Sequence, residues 1–199
     1  MKHISINTII DLQKQSTIDW HNTTPAITHN DLLGLVQANH MQNFLLWHEE
    51  DRARRDDLGF EHVYHAKRAI DKHNQERNNC MERIDQFICN LLPPSSAPCP
   101  IHTETPGMII DRLSIMTLKQ YHTEEETLRP DASLPHKEKC LHRLSVVTQQ
   151  LNDLKHSLQD LIDQAFSGQR TFRVYYQLKM YNDPSLNPEL YNQSKKILT

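Results

Sequence analysis

Leu144-Ser145-Val146-Val147-Thr148-Gln149-Gln150-Leu151-Asn152-Asp153-Leu154-Lys155-His156-Ser157-Leu158-Gln159-Asp160-Leu161-Ile162-Asp163-Gln164-Ala165 is the stretch whose reading decides the fold. Leu144, Val147, Leu151, Leu154, Leu158, Leu161 and Ala165 alternate by three and four. Residues so spaced share one face of an α-helix, and a sustained seam of this kind marks a bundle or coiled coil. Nothing polar interrupts the seam, so it reads as structure and not as chemistry. Ser133-Leu134-Pro135 starts this helix, and Gly168 suits the residue just past its end.

Working outward, the other segments are helical too. Arg129-Pro130-Asp131 separates the seam from a helix over 106–127, with Thr105 as N-cap and Pro106 as first residue. The start of that helix could hold an anion, although a well-made cap is the plainer explanation. A Pro-rich loop, 93–101, precedes it. Before the loop, a long helix is expected over about 61–92, with Val63, Ile70, Ile84, Ile88 and Leu91 on its seam. Leu58-Gly59-Phe60 is a tight connection, so the helix before it, from Asn30 or Thr28 to about Asp57, is an antiparallel neighbour. Residues 1–20 promise a short helix at best, with Ile9, Ile10 and Leu12 as contacts. After Gly168, Phe172, Tyr175, Tyr176 and Met180 suggest a helix from about Thr171 to Tyr181, followed by Asn/Asp/Pro turn punctuation. The fold class expected is all-α: an antiparallel helical bundle with a C-terminal extension, forming one helical domain over 1–199.

Composition narrows the function classes. Net charge is −3 and aromatic residues make up 7%, so no basic field or stacking platform points to nucleic acid. No apolar run approaches the roughly 18 residues a membrane span needs. The first residues, Met1-Lys2-His3-Ile4-Ser5, carry no apolar signal-peptide core. The four cysteines form no C-x-x-C pair, and a reduced, cytoplasmic protein is the simplest expectation.

Two seams are interrupted. At helical pitch Leu33, Val36, His40, Phe44, Trp47, Asp51, Arg54 and Leu58 form one stripe, with His40, Asp51 and Arg54 among its apolar members. On the next helix Lys67, Asn74 and Arg77 occupy positions where apolar residues belong. Folding the hairpin about Gly59 sets Asp51 near Lys67, Phe44 near Asn74, and His40 near Arg77 or Asn78. Both helices thus turn polar at one level. Buried charge is costly unless paired, so a polar cluster between them is either a site or a device that fixes bundle register. A solvated charged face with i,i+4 pairs, such as Glu50–Arg54, is the plainer alternative.

Several blocks together resemble one bacterial family, the domain of unknown function 4254. They are Leu46-Trp47-His48-Glu49-Glu50-Asp51 with Ala53-Arg54; Lys67-Arg68-Ala69-Ile70-Asp71 with Asn74-Gln75 and Arg77-Asn78; Glu104-Thr105-Pro106-Gly107 with Ile110 to Ile115; Lys119 with Tyr121-His122; and Gln177 to Pro184 with Asn187-Pro188. They cover about residues 37–191. Asn79 departs from the acidic residue usual after the Arg-Asn pair. The resemblance implies an all-helical cytoplasmic protein of a family often encoded beside glycosyltransferases for surface polysaccharide or lipopolysaccharide. It brings no catalytic residue with it.

Three readings of the polar residues follow. In the first, an anionic small molecule, such as a nucleotide sugar or sugar phosphate, is bound in connection with glycosyl transfer. Arg54, Lys67, Arg77, Arg112 and Lys179 would supply cationic donors. Asn74, Asn78 and Asn182 would bond hydroxyls, and Trp47 would stack on a ring. Asp51, Asp71 or Asp111 would orient the cations, Glu50 and Asp183 would join the ligand-binding set, and His48, Asp51 and Asp111 are the candidates for acid–base work. In the second, Glu49-Glu50 with Glu82 and Asp85 would serve a metal-dependent all-α phosphohydrolase, using oxygen ligands that suit Mg²⁺ or Mn²⁺. Ala53 stands where that layout needs a third carboxylate. Zinc has less support, because His62 and His65 have no matching second pair; no metal ligand is assigned and the cofactor stays open. In the third, the chain is a scaffold whose protein partner is a glycosyltransferase or a second copy. Ser114 has no base recognisable in sequence and reads as a packing residue.

Overall fold

The computed structural model describes residues 5–92 and 98–191. The described residues contain six α-helices and no β-strand: α1 (Ile6–Asn22), α2 (Asp31–Arg52), α3 (Phe60–Leu91), α4 (Pro106–Leu128), α5 (Leu134–Phe166) and the one-turn α6 (Pro188–Tyr191). The all-α bundle read from the periodicity is the observed fold. Pairs α2/α3 and α4/α5 form two hairpins, and α1 packs on α2 and α4. Of the Pro-rich loop, Pro93 to Ala97 lie outside the described residues. No helix among the described residues is long and apolar enough to cross a membrane.

α1 is a full core helix, not the short one expected. Ser5 caps it, its Oγ accepting from Thr8 N–H at 3.3 Å. Ile6, Ile9, Ile10, Gln13, Ser16, Thr17 and Trp20 are all buried on one face. That face is half polar, which is why hydrophobic periodicity alone undersold it. α2 ends at Arg52, about five residues before the expected Asp57. A 3₁₀ turn over Asp56–Leu58 and Gly59, at φ 87°, then reverse the chain. Gly59 adopts the left-handed backbone that a side chain would strain. Arg54 therefore follows the helix instead of lying within it, and Leu58 is exposed rather than on the core stripe.

Of the α5 seam, Leu151, Leu154, Leu158, Leu161 and Ala165 are buried, together with Ile162. Leu144 and Val147 are only half-buried. Past Gly168, at φ 72°, the expected helix is absent. Residues 172–179 have no regular structure and a 3₁₀ turn spans Met180–Asn182. Thr171 N–H donates to Pro100 O and His102 N–H to Thr171 O, a short bridge tying together the segments that follow α3 and α5. Phe172 is buried in the core, whereas Tyr175, Tyr176 and Met180 are exposed. With one anchor instead of an apolar face, nothing favours a helix there.

The core has two apolar parts. The larger gathers Ile9, Ile10, Val36, Ile84, Ile88, Ile109, Ile110, Leu113 and the α5 seam. The smaller holds Trp20, Phe44 and Leu118, flanked by Met41, Leu45 and Trp47. On each of α1, α2 and α4 the residues between the two parts are polar and buried: Gln13 and Thr17, Asn39, His40 and Asn43, Asp111 and Ser114 with Thr117.

Candidate functional site

This polar layer is hydrogen-bonded across three helices. Asn39 Nδ2 and Asn43 Nδ2 both donate to Asp111 Oδ1 at 2.9 Å. Asn43 Nδ2 also donates to Ser114 Oγ at 3.0 Å. Thr17 spends its hydroxyl proton on Gln13 O at 3.0 Å, so its oxygen accepts from His40 Nε2–H at 2.9 Å. His40 Nδ1 is then a lone pair, and Ser114 Oγ–H donates to it at 2.7 Å. His40 is fully buried, and that burial holds its pKa down at about 3, so it is neutral. Ser114 thus has the oriented base that sequence could not supply. Both side chains are sealed from solvent, however, so the pair is a clasp between helices in this conformation.

Arg77, on α3, joins the layer from outside. Its Nε lies 3.7 Å from Asp111 Oδ1, is itself buried, and has no hydrogen-bond partner. The guanidinium also lines a surface recess of about 300 Å³. Asn43, Leu46, Trp47, Glu50, Asp51 and Arg54 from α2 and the turn after it, with Ile115 and Leu118 from α4, complete the lining. Arg54 is held by Glu50 at 2.9 Å. Trp47 stacks on His122, with ring centroids 4.6 Å apart and planes at 10°. His122 Nδ1 bonds Glu125 at 2.9 Å, and its Nε2 is buried with no partner. Asp111 sits behind the recess and faces Arg77 by charge, while the Asn39 and Asn43 amides hold its Oδ1 in place.

Other predicted residues lie elsewhere. His48 is half-buried among His21, Phe44 and His122, outside the lining. Asn78 is buried and Asn74 half-buried on α3, and neither lines the recess. Lys67 and Asp71 are exposed, Asp71 pairing with Arg68 at 3.1 Å. Arg112 is exposed and paired with Glu104 at 2.5 Å. The expected convergence of Lys179, Asn182 and Asp183 on this site does not occur. Asn182 Nδ2 donates to Gln75 Oε1 at 3.0 Å and Gln177 N–H to Glu82 Oε1 at 2.8 Å, on another face of α3. Asp183 accepts from Ser185 at 2.7 Å. The physical reason is helix phase: Gln75 and Glu82 share an α3 face, and Arg77 is rotated away from it.

The hairpin register is about one turn from the expected one, since His73 Nδ1 meets Gln42 Oε1 at 2.8 Å. His40 faces α1 and α4, not Arg77, because α1 is long enough to reach it. Residues that sequence reasoning missed are Gln13, Thr17, Asn39, Asn43, His21, His122 and Glu125. The polar half of the α1 face was the signal that could have found the first two.

The start of α4 carries an anion, but it is the chain's own. Asp85 Oδ1 accepts from Gly107 N–H at 2.6 Å and Oδ2 from Thr105 Oγ1 at 2.5 Å. Burial pushes the Asp85 carboxyl up to about 6, against the two hydrogen bonds, which pull it down. Asp85 thus serves as a cap for α4, and Glu82 accepts from Gln177 N–H. Among the described residues no group of three or more His, Cys, Asp or Glu is arranged to hold a metal ion.

Fold and site together define a helical-bundle protein with a polar layer across its core and a small recess opening beside that layer. The model of one family, described as Protein of unknown function (DUF4254), matches residues 33–174, and the chain belongs to that family. The matched span starts within α2, so α1, which contributes Gln13, Thr17 and His21, lies outside it. No curated protein and no solved structure matches the chain.

Proposed function

We propose that this is a cytoplasmic protein that binds an anionic sugar derivative, a sugar phosphate or nucleotide sugar, in the recess beside Trp47. The observation that carries the reading is Arg77: a guanidinium fixed from behind by buried Asp111 and presented, with Arg54 and an aromatic face, to one recess. A planar fork held in place suits bidentate contact with phosphate. One face of Trp47 is taken by His122, which leaves the other for a sugar ring or base. Glu50 and Asp51 set the selectivity. They oppose a bare phosphate and accept hydroxyl donors, so a hydroxylated anion fits better than an inorganic one. The link to surface-glycan synthesis, with a glycosyltransferase as partner, rests on the family resemblance alone. The carboxylate phosphohydrolase alternative has less support, since Glu82 and Asp85 already accept hydrogen bonds from Gln177 and from the start of α4. A register-fixing scaffold is favoured by one observation, the sealed His40–Ser114 clasp.

Thermal-shift and tryptophan-fluorescence titrations with glucose 1-phosphate, UDP-glucose and inorganic phosphate test the proposal. A ligand that binds only the folded chain raises its melting temperature by mass action. The expected result is a rise with a sugar phosphate or nucleotide sugar, little with phosphate, and none in Arg54→Ala. No response to any probe would sink the reading and leave the scaffold.

A further inference from the structure

Beside the recess, three imidazoles from three helices meet. His21 of α1, His48 of α2 and His122 of α4 have ring centroids 5.4 Å (His21–His48), 5.2 Å (His21–His122) and 6.1 Å (His48–His122) apart. Aromatic rings close around them: Tyr121 stacks on His21 at 4.7 Å, Phe44 meets His48 at 4.6 Å, and Trp47 covers His122. The carboxylates acting on the cluster are Asp51 of α2 and Glu125 of α4. We propose that His21, His48 and His122 form a proton-operated latch, which holds the C-terminal end of α1 closed while the cluster carries at most one charge and releases it when a second proton binds.

The geometry supplies the mechanism. A first proton has a place, because His122 Nδ1 already lies 2.9 Å from the Glu125 carboxylate. A second proton puts like charges on rings whose centroids are 5.2 to 6.1 Å apart, with exposed Asp51 left to offset it. Burial, above all, lowers both His48 and His122 below the usual histidine value; at His48 the His21 and His122 imidazoles add to it, whereas at His122 the Glu125 carboxylate works against it.

The C-terminal turn of α1 is the part that gives way, because Gln13 Nε2 donating to Ile110 O at 3.2 Å and Gln37 Nε2 donating to Ser16 Oγ at 3.2 Å hold the earlier turns to α4 and α2. α2 and α4 are tied to each other by the Asn39, Asn43 and Asp111 bonds, and by His40 with Ser114. α1 leads into a stretch without regular structure over residues 24–30, which supplies slack. Release would also be cooperative. His40 is kept neutral by burial under α1, where Thr17 holds its Nε2 and Trp20 stacks on it at 5.4 Å. Once the end of α1 that carries Thr17 and Trp20 lifts, His40 reaches water and takes a proton at an ordinary histidine value, which drives the opening further. Because Trp47 lies between His122 and the recess, opening would also loosen the recess wall. The latch stands without the ligand reading.

Hydrogen exchange on the full chain at about pH 7.5 and about pH 5.5, corrected for intrinsic exchange, is the test. In the wild type, amides of the second half of α1 should lose about tenfold or more of their protection, while those of α3 between Met81 and Ile88 keep theirs. In His21→Gln/His122→Gln the α1 loss should mostly vanish. Unchanged α1 protection, joint loss in α1 and α3, or wild-type behaviour in the double variant would each overturn the latch. Should that variant fail to fold, imidazole NMR titration of the wild type decides. The latch requires two steps separated by about one unit or more, and three independent titrations near the ordinary value would refute it.

Discussion

Asp111 is the residue on which the polar layer turns. It accepts from Asn39 and Asn43 and faces Arg77, so its removal leaves the Asn39 amide without its acceptor, the Asn43 amide with Ser114 alone, and the half-buried guanidinium without its countercharge. Asp111→Ala should cost about 3–5 kcal/mol, the scale of breaking a buried charged partner. Arg77→Ala should cost less, about 1–2 kcal/mol, because Arg77 is 28% exposed and Asp111 keeps both amides. Urea denaturation of the two variants checks the order, and an Arg77 variant as damaging as the Asp111 one would refute it. Sequence showed that Arg77 was out of place on an apolar seam and offered Asp111 among several carboxylates that would orient a cation. It could not single out this pair, because the partner came from α4 rather than from the hairpin mate α2. Asn39 and Asn43 were invisible for a related reason: an uncharged amide on a helix face looks the same whether it meets solvent or a buried carboxylate.

At the scale of elements, the start of α4 shows how closely two helices must approach. A Cβ at Gly107 would sit 2.4 Å from Met81 O and 2.8 Å from Asp85 Oδ1. The crossing of α3 and α4 therefore requires glycine there, and the same closeness lets Asp85 cap α4. Gly107→Ala should destabilise by about 2–3 kcal/mol, as overpacking with a displaced cap does. A melting temperature within a degree or so of wild type would show that the crossing has room. Thr105 and Pro106 were readable as cap and first turn, since both act locally. The helix expected over Thr171–Tyr181 failed for the opposite reason. Its aromatic residues resemble a buried face, yet only Phe172 finds a core to enter.

For the whole molecule, two buried groups make opposite demands on pH. His40 is neutral when folded, at about 3 against about 6.5 unfolded, so the unfolded chain binds more protons between those values. Its contribution is complete above about pH 6.5 and is lost as pH falls toward 3. Asp85, raised to about 6 from an ordinary 3.8, acts in the other sense: its contribution is present in acid and is lost as pH rises through 6. His48, His73 and His122 are lowered like His40, so the imidazoles outweigh the one carboxyl. Stability should therefore rise from about pH 4.5 to about pH 7, and His40→Asn should flatten the slope by up to about 1.4 kcal/mol per pH unit. Urea midpoints across that range measure it; a wild-type slope of zero or opposite sign would contradict the burial of these rings.

Sequence by itself determined the helical class, the limits of α3 to within a residue, the cap of α4 and the leucine seam of α5. Each depends on contacts within a few residues, where the helical repeat and the backbone's hydrogen bonding leave few choices. It also singled out Trp47, Glu50, Asp51, Arg54 and Arg77, which the fold gathers on one recess. Only the tertiary structure decided which side of each helix meets which neighbour. It put Asp111 behind Arg77, brought α1 over His40, turned the C-terminal segment to another face of α3 and assembled three imidazoles from three helices. The reason is rotational: a helix of given sequence can pack in several phases, and the phase is set by long-range contacts summed over the whole core.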